Sequence, residues 1–126
     1  MKRIFTFAVI SLVTLSFTMA QGIDEVVNAM KTGNASQIAK YFDNTVEITM
    51  LDKSNSYSKS QAELVLRDFF ATNPVKGFEV IHKGENGGSQ YRIGNLNTKT
   101  GSFRTTIFMK QKADKQLLQE IRFETQ

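Results

Sequence analysis

The sequence predicts an α+β domain in which N-terminal helices pack on an antiparallel sheet drawn mainly from the C-terminal half. Three observations carry that prediction. Apolar residues recur every three to four positions up to about residue 42 and again at 62–70, and at every second position in Val46–Met50 and in the segments after Pro74. The only proline, Pro74, stands just past the last helical pattern. Beyond it, four alternating segments are joined by connections too short for anything but antiparallel neighbours. The expected order is helix, helix, strand, helix, then four strands, with a further short strand allowed before the third helix.

Each element has its own warrant. Ile23, Val26, Val27 and Met30 form an i, i+3, i+4, i+7 stripe, with Asp24 and Glu25 in the expected first turn, Lys31 in the last and Gly33 as the stop. This predicts a first helix over 23–32. Asn34 is placed to cap a second, shorter helix whose buried stripe is Ile38, Ala39 and Phe42. Asn34-Ala35-Ser36 also spells a glycosylation sequon, but capping accounts for the asparagine without further machinery. In Thr45–Met50, Val46, Ile48 and Met50 alternate with polar neighbours, the pattern of a half-buried strand. Asp52 to Asn55 reads as a turn, after which Ser56-Tyr57-Ser58 can add a short return strand. Ser60 and Glu63 spell a capping box opening a third helix with Ala62, Val65, Leu66, Phe69 and Phe70 on its apolar face. The four following strands are expected at 76–83, 89–96, 102–111 and 115–124, turned by Asn86-Gly87-Gly88, by 97–101 and by Lys112-Ala113-Asp114.

Residues 1–20 read as an address. Lys2 and Arg3 precede an apolar run from Ile4 to Phe17, and the small residues Thr18 and Ala20 flank Met19. That order is a secretory signal peptide cleaved after Ala20, and the apolar run is shorter than the ~20 residues a membrane span needs. The expected mature chain is a single domain, 21–126, exported to the periplasm or the extracellular space, with no membrane attachment after cleavage. Removing Lys2 and Arg3 leaves 14 basic against 12 acidic residues, interspersed along the chain, so no basic stripe for nucleic acid is visible. The absence of cysteine excludes disulfides and thiolate chemistry. One histidine and no calcium-type loop leave no basis for a metal centre or other cofactor.

Two stretches carry a family likeness. Tyr41-Phe42-Asp43-Asn44-Thr45-Val46-Glu47 closes the second helix and opens the first strand, and the third helix ends in Leu66-Arg67-Asp68-Phe69-Phe70. Both resemble the nuclear-transport-factor-like superfamily of α+β cones. The resemblance implies a curved sheet wrapped around the helices. Together with the leader, it implies a group of small exported bacterial proteins of unassigned function. Ketosteroid isomerases of that scaffold place a carboxylate base on the first strand, and the matching position here is Ile48. Glu47 points to the opposite face by strand alternation, so steroid-type isomerase activity is expected to be absent.

The residues left to carry function are few. Tyr41, Ile48, Tyr57, His82 and Tyr91 are the candidates for lining a ligand site, with His82 expected on the same strand face as Phe78 and Val80. Arg92, Arg104 and Arg122 lie in phase on three successive strands, as a row that either receives an anion or pairs with Glu79, Glu120 and Glu124. Phe103, Ile107, Met109, Leu117, Ile121 and Phe123 make the expected apolar face of the last hairpin. Phe108 and Leu118 fall out of phase with it, as the seam of a homodimer. The function expected is a non-catalytic exported domain that binds a small apolar ligand or a protein partner in or around the cone. The alternative is a small enzyme of isomerase or dehydratase type using His82 or a tyrosine.

Overall fold

The computed structural model describes residues 18–126, with side chains from residue 22 onward. The leader expected at 1–20 therefore lies almost wholly outside the described residues. Three helices, α1 (Thr18–Thr32), α2 (Ala35–Ala39) and α3 (Lys59–Thr72), are set among six strands. These are β1 (Phe42–Met50), β2 (Lys53–Ser58), β3 (Val75–Asn86), β4 (Ser89–Thr98), β5 (Gly101–Lys112) and β6 (Lys115–Thr125).

Helix α1 begins five residues earlier than its apolar stripe suggests, so Asp24 and Glu25 sit in its second turn and not at its start. It ends as expected. Gly33 takes a φ of 67°, its N–H bonds to Met30 O, and the Asn34 N–H reaches back to Ala29 O, a Schellman closure. Asn34 then caps α2 by accepting from the Gln37 N–H at 3.1 Å. The cap of α3 lies two residues before the expected one. Ser58 accepts from the Gln61 N–H, and the Gln61 side chain accepts from the Ser58 N–H. The S-x-x-Q box at 58–61 thus does the work expected of Ser60 and Glu63. Glu63 pairs instead with Arg67 one turn on, at 2.6 Å. The expected turn at 52–55 is also shorter. Leu51 and Asp52, both at positive φ, make a two-residue turn, and Lys53 to Asn55 already belong to β2.

The strands form one sheet in the order β2-β1-β6-β5-β4-β3. Every pairing is antiparallel except β1 with β6, which is parallel and closes the N-terminal hairpin onto the C-terminal meander. The packed face carries Val46, Ile48, Phe78, Leu96, Ile107, Met109, Leu118, Ile121 and Phe123, all buried. Helix α1 covers it with Ile23, Val26, Val27 and Met30, and α3 with Ala62, Leu66 and Phe70. Phe69 stacks on Phe123 at 4.2 Å between ring centroids, and Phe70 meets the same ring edge-on at 6.4 Å.

Breaks in register decide which side chains share that face. Between β5 and β6, Phe108 pairs with Glu120 but Met109 pairs with Leu118, so Gln119 is an extra residue. Past this bulge the parity of β6 reverses. Leu118 is fully buried in the core, Leu117 is turned outward, and Phe108 alone of the expected seam stays on the outer face. The side-by-side placement of Phe108 and Leu118 is therefore incorrect. A second bulge lies between Val80 and His82 in β3. It leaves Ile81 unpaired and 42 % exposed, and it turns His82 to the face opposite Phe78 and Val80.

Candidate functional site

The five residues singled out in the sequence do not converge. Ile48 is 1 % exposed and belongs to the core, so it faces the interior of the cone as expected. Tyr57 pairs with Val46 on the same face, one register step from Ile48, and packs partly buried against the core. His82 and Tyr91 are exposed on the outer face. The Tyr91 ring lies flat over Gly84, where an added Cβ would come within 2.3 Å of the ring. Tyr41 stands apart, its hydroxyl donating to the Glu25 carboxylate of α1. Burial, then the hydrogen bond and the charge of Glu25, push its pKa up to about 12. The arginine row is also divided. Arg104 and Arg122 share the outer face, whereas Arg92 pairs with Ile107 on the packed face and is 7 % exposed.

The outer face holds a shallow groove of about 410 Å³ across β4, β5 and β6. Tyr91, Ile93 and Phe108 supply its apolar surface, and Arg104, Arg122, Glu120 and Glu124 its charges. Arg122 donates to Glu120 at 3.0 Å and lies 4.0 Å from Glu124. Those carboxylates, Glu120 first, hold its guanidinium pKa above the ordinary value. Charges of both signs around an aromatic centre suit a protein surface better than a small anion.

Two further clusters are assembled by the fold, one around Asp43 and one that takes Arg92 out of the expected arginine row. Between Phe42 and Glu47 the register of β1 against β6 breaks, and Asp43 turns into the gap. Its carboxylate accepts from Lys112 Nζ, Gln119 Nε2 and the Asn44 N–H, each at 2.7 Å. The Lys112 hydrogen bond leads the causes that lower its pKa to about 2. Asp43 thereby ties the β1 break to the β6 bulge and the end of β5. The aspartate of the Tyr41–Glu47 stretch is visible in sequence, but its partners lie 69 and 76 positions on, beyond any local pattern.

The second cluster lies on the packed face at the rim of the cone. Gln90 and Arg92, two residues apart on β4, are 8 % and 7 % exposed. The Gln90 amide donates to Glu85 Oε2 at 3.1 Å, while its Oε1 is buried with no hydrogen-bond partner among the described residues. Arg92 donates through Nη1 to Tyr91 O at 2.9 Å and has no ion pair among the described residues. No group of three or more His, Cys, Asp or Glu suited to hold a metal occurs among the described residues.

A family model described as a domain of unknown function, DUF4783, matches residues 23–124. Crystal structures of DUF4783 proteins superpose closely on this chain. The one from Bacteroides fragilis is 34% identical at a TM-score of 0.78, covering 81% of this chain and 96% of that one. The one from Bacteroides ovatus is 31% identical at 0.79, covering 81% and 93%. An NTF2-like protein of unknown function from Cytophaga hutchinsonii, 11% identical at a TM-score of 0.63 over 88% of this chain and 92% of that one, shares the fold. No curated protein matches the chain.

Proposed function

We propose, from the premise that this chain belongs to the DUF4783 family of domains of unknown function, that it is an exported, non-catalytic interaction domain that pairs with a second copy of itself. The outer face of the sheet is the contact surface. The observation that carries this reading is the groove in which Tyr91, Ile93 and Phe108 are ringed by two arginines and two glutamates. Such a face is complementary to itself. A two-fold contact sets Arg104 and Arg122 of one copy within reach of Glu120 and Glu124 of the other, while the aromatic centres meet.

Three further points support the reading. The leader at 1–20 supplies the route out of the cell. His82 and Tyr91 lie on the outer face, Tyr57 on the packed face and Tyr41 beside Glu25 of α1, so among the described residues no base, nucleophile and orienting group drawn from these stand together. The centre of the cone is occupied by Ile48, Ile107 and Ile121, each no more than 1 % exposed, which favours a partner around the cone over an apolar ligand inside it. Sedimentation of the protein at tens of micromolar is the test. A dimer that dissociates on dilution and weakens with added salt is expected, whereas a clean monomer across that range overturns the reading.

A further inference from the structure

We propose that Arg92 and Gln90 form the rim of a subsite for a protonated oxyanion, a phosphate group that keeps one O–H. The subsite lies on the face opposite the groove of the interaction surface and is independent of it. Two observations point to a ligand. Arg92 is a buried guanidinium that uses one of its five N–H donors and has no carboxylate partner among the described residues. Gln90 Oε1 is a buried acceptor that no described group satisfies. Buried polar groups are nearly always partnered, so a pair of incompletely used groups side by side on one strand calls for something that serves both.

Their chemistry selects what that is. Glu85, paired with Gln90 across β3 and β4, can only accept, so it fixes the amide with Nε2 toward the carboxylate and Oε1 away from it. The subsite therefore offers guanidinium donors for an oxyanion and one carbonyl acceptor that needs a donor in return. A fully deprotonated anion would set its own lone pairs against Oε1, whereas a protonated one donates to it. Lys83, paired with Arg92 on the same face, adds positive charge, and Glu85 lies on the Nε2 side of the Gln90 amide, away from Oε1. Ile107 and Met109, both fully buried, line the neighbouring strand and keep the site dry. Gln90 and Arg92 stand two and four residues past the Gly87–Gly88 turn, each paired across the hairpin with an exposed residue, Glu85 and Lys83.

Phosphate carries a proton at neutral pH and sulfate does not, which makes the comparison decisive. The side-chain N–H resonances of Arg92 and Gln90 are followed by NMR during titration with inorganic phosphate, methyl phosphate and sulfate. Saturable shifts of both side chains are expected, with phosphate bound about tenfold or more tightly than sulfate. Methyl phosphate is largely deprotonated at pH 7 and should bind only below about pH 6, where it keeps its O–H; binding there identifies a phosphate monoester as the ligand class, and binding of inorganic phosphate alone at either pH identifies the free ion. Gln90→Leu should bring phosphate and sulfate to equal affinity, and Arg92→Met should abolish both while Arg92→Lys retains part. Equal affinity for phosphate and sulfate in the unmodified protein, or no saturable shift of the two side chains, overturns the proposal whether or not the variants fold.

Discussion

Asp43 shows how one side chain can hold together segments that local sequence does not relate. Its three hydrogen bonds, from Lys112, Gln119 and the Asn44 N–H, all favour the charged carboxylate, and its pKa falls from 3.8 to about 2. A depressed acid contributes stability that is fully present above its unfolded value and is lost as pH falls through the folded one. The contribution of Asp43 should therefore be constant above about pH 4 and drain away between pH 4 and pH 2. Asp43→Asn should cost roughly 1.5–3 kcal/mol at neutral pH, since hydrogen bonds to a charged group are lost and the carboxamide must turn an N–H₂ toward one of three donors. The same variant should flatten the acid limb of the stability curve. Lys112→Ala should cost less, about 1 kcal/mol or under, because that side chain is 53 % exposed and its charge is screened by solvent. Urea unfolding at pH 7 and at pH 3 separates these expectations; equal losses for the two variants at pH 7 would contradict the role given to Asp43.

At the scale of elements, composition and period sufficed wherever one local pattern decides the outcome. The helix stripes at Ile23–Met30 and Ala62–Phe70, the Asn34 cap, the Gly33 stop and the Gly87–Gly88 turn all follow from neighbours within one or two helical turns or a single hairpin. The cap of α3 was misplaced because two overlapping boxes compete, Ser58 with Gln61 and Ser60 with Glu63, and both satisfy the same rule. Only the fold decides between them, because β2 runs to Ser58 and delivers the chain into the helix there. Ser58→Ala should thus cost about 1 kcal/mol, and Ser60→Ala, inside the first turn and exposed, close to nothing. Thermal melts of the two variants check this, and a larger loss at Ser60 would reverse the assignment. Bulges were harder to read, since an extra residue has no compositional mark. Their one trace is a doubled apolar pair, Leu117-Leu118 or Val80-Ile81, where strict alternation allows a single apolar residue. Each pair admits two phases, and the choice belongs to the neighbouring strand. For that reason the positions of His82 and Leu118 inverted, and with them part of the candidate site. Arg92 inverts for a related reason: an arginine among polar neighbours reads as in phase with Arg104 and Arg122 on a solvated row, and only pairing with Ile107 reveals that it faces inward.

Across the whole molecule, the bulge at Gln119 separates two residues that otherwise look equivalent, and it does so by assigning one to stability and the other to association. Leu118 lies fully buried beside Met109, and its backbone N–H reaches Tyr41 O where the parallel pairing of β1 with β6 begins. Leu118→Ala removes core volume at the junction of the two halves of the sheet and should cost roughly 2–5 kcal/mol. For a domain of this size that lowers the melting temperature by on the order of 10 °C or more. Phe108 lies across from Tyr91 and Glu120 in the outer groove, outside the core. Phe108→Ser should leave the melting temperature of dilute protein within a few degrees, because little of the packing under the sheet depends on that ring. It should still weaken self-association by about tenfold or more, since an aromatic side chain at the centre of a contact carries more of its energy than the charged border does. Melting the two variants at low concentration and sedimenting Phe108→Ser beside the unmodified protein tests both halves. A Phe108→Ser variant that unfolds early would mean the outer face is part of the fold's own packing, and one that sediments like the unmodified dimer would mean the contact lies elsewhere on the cone.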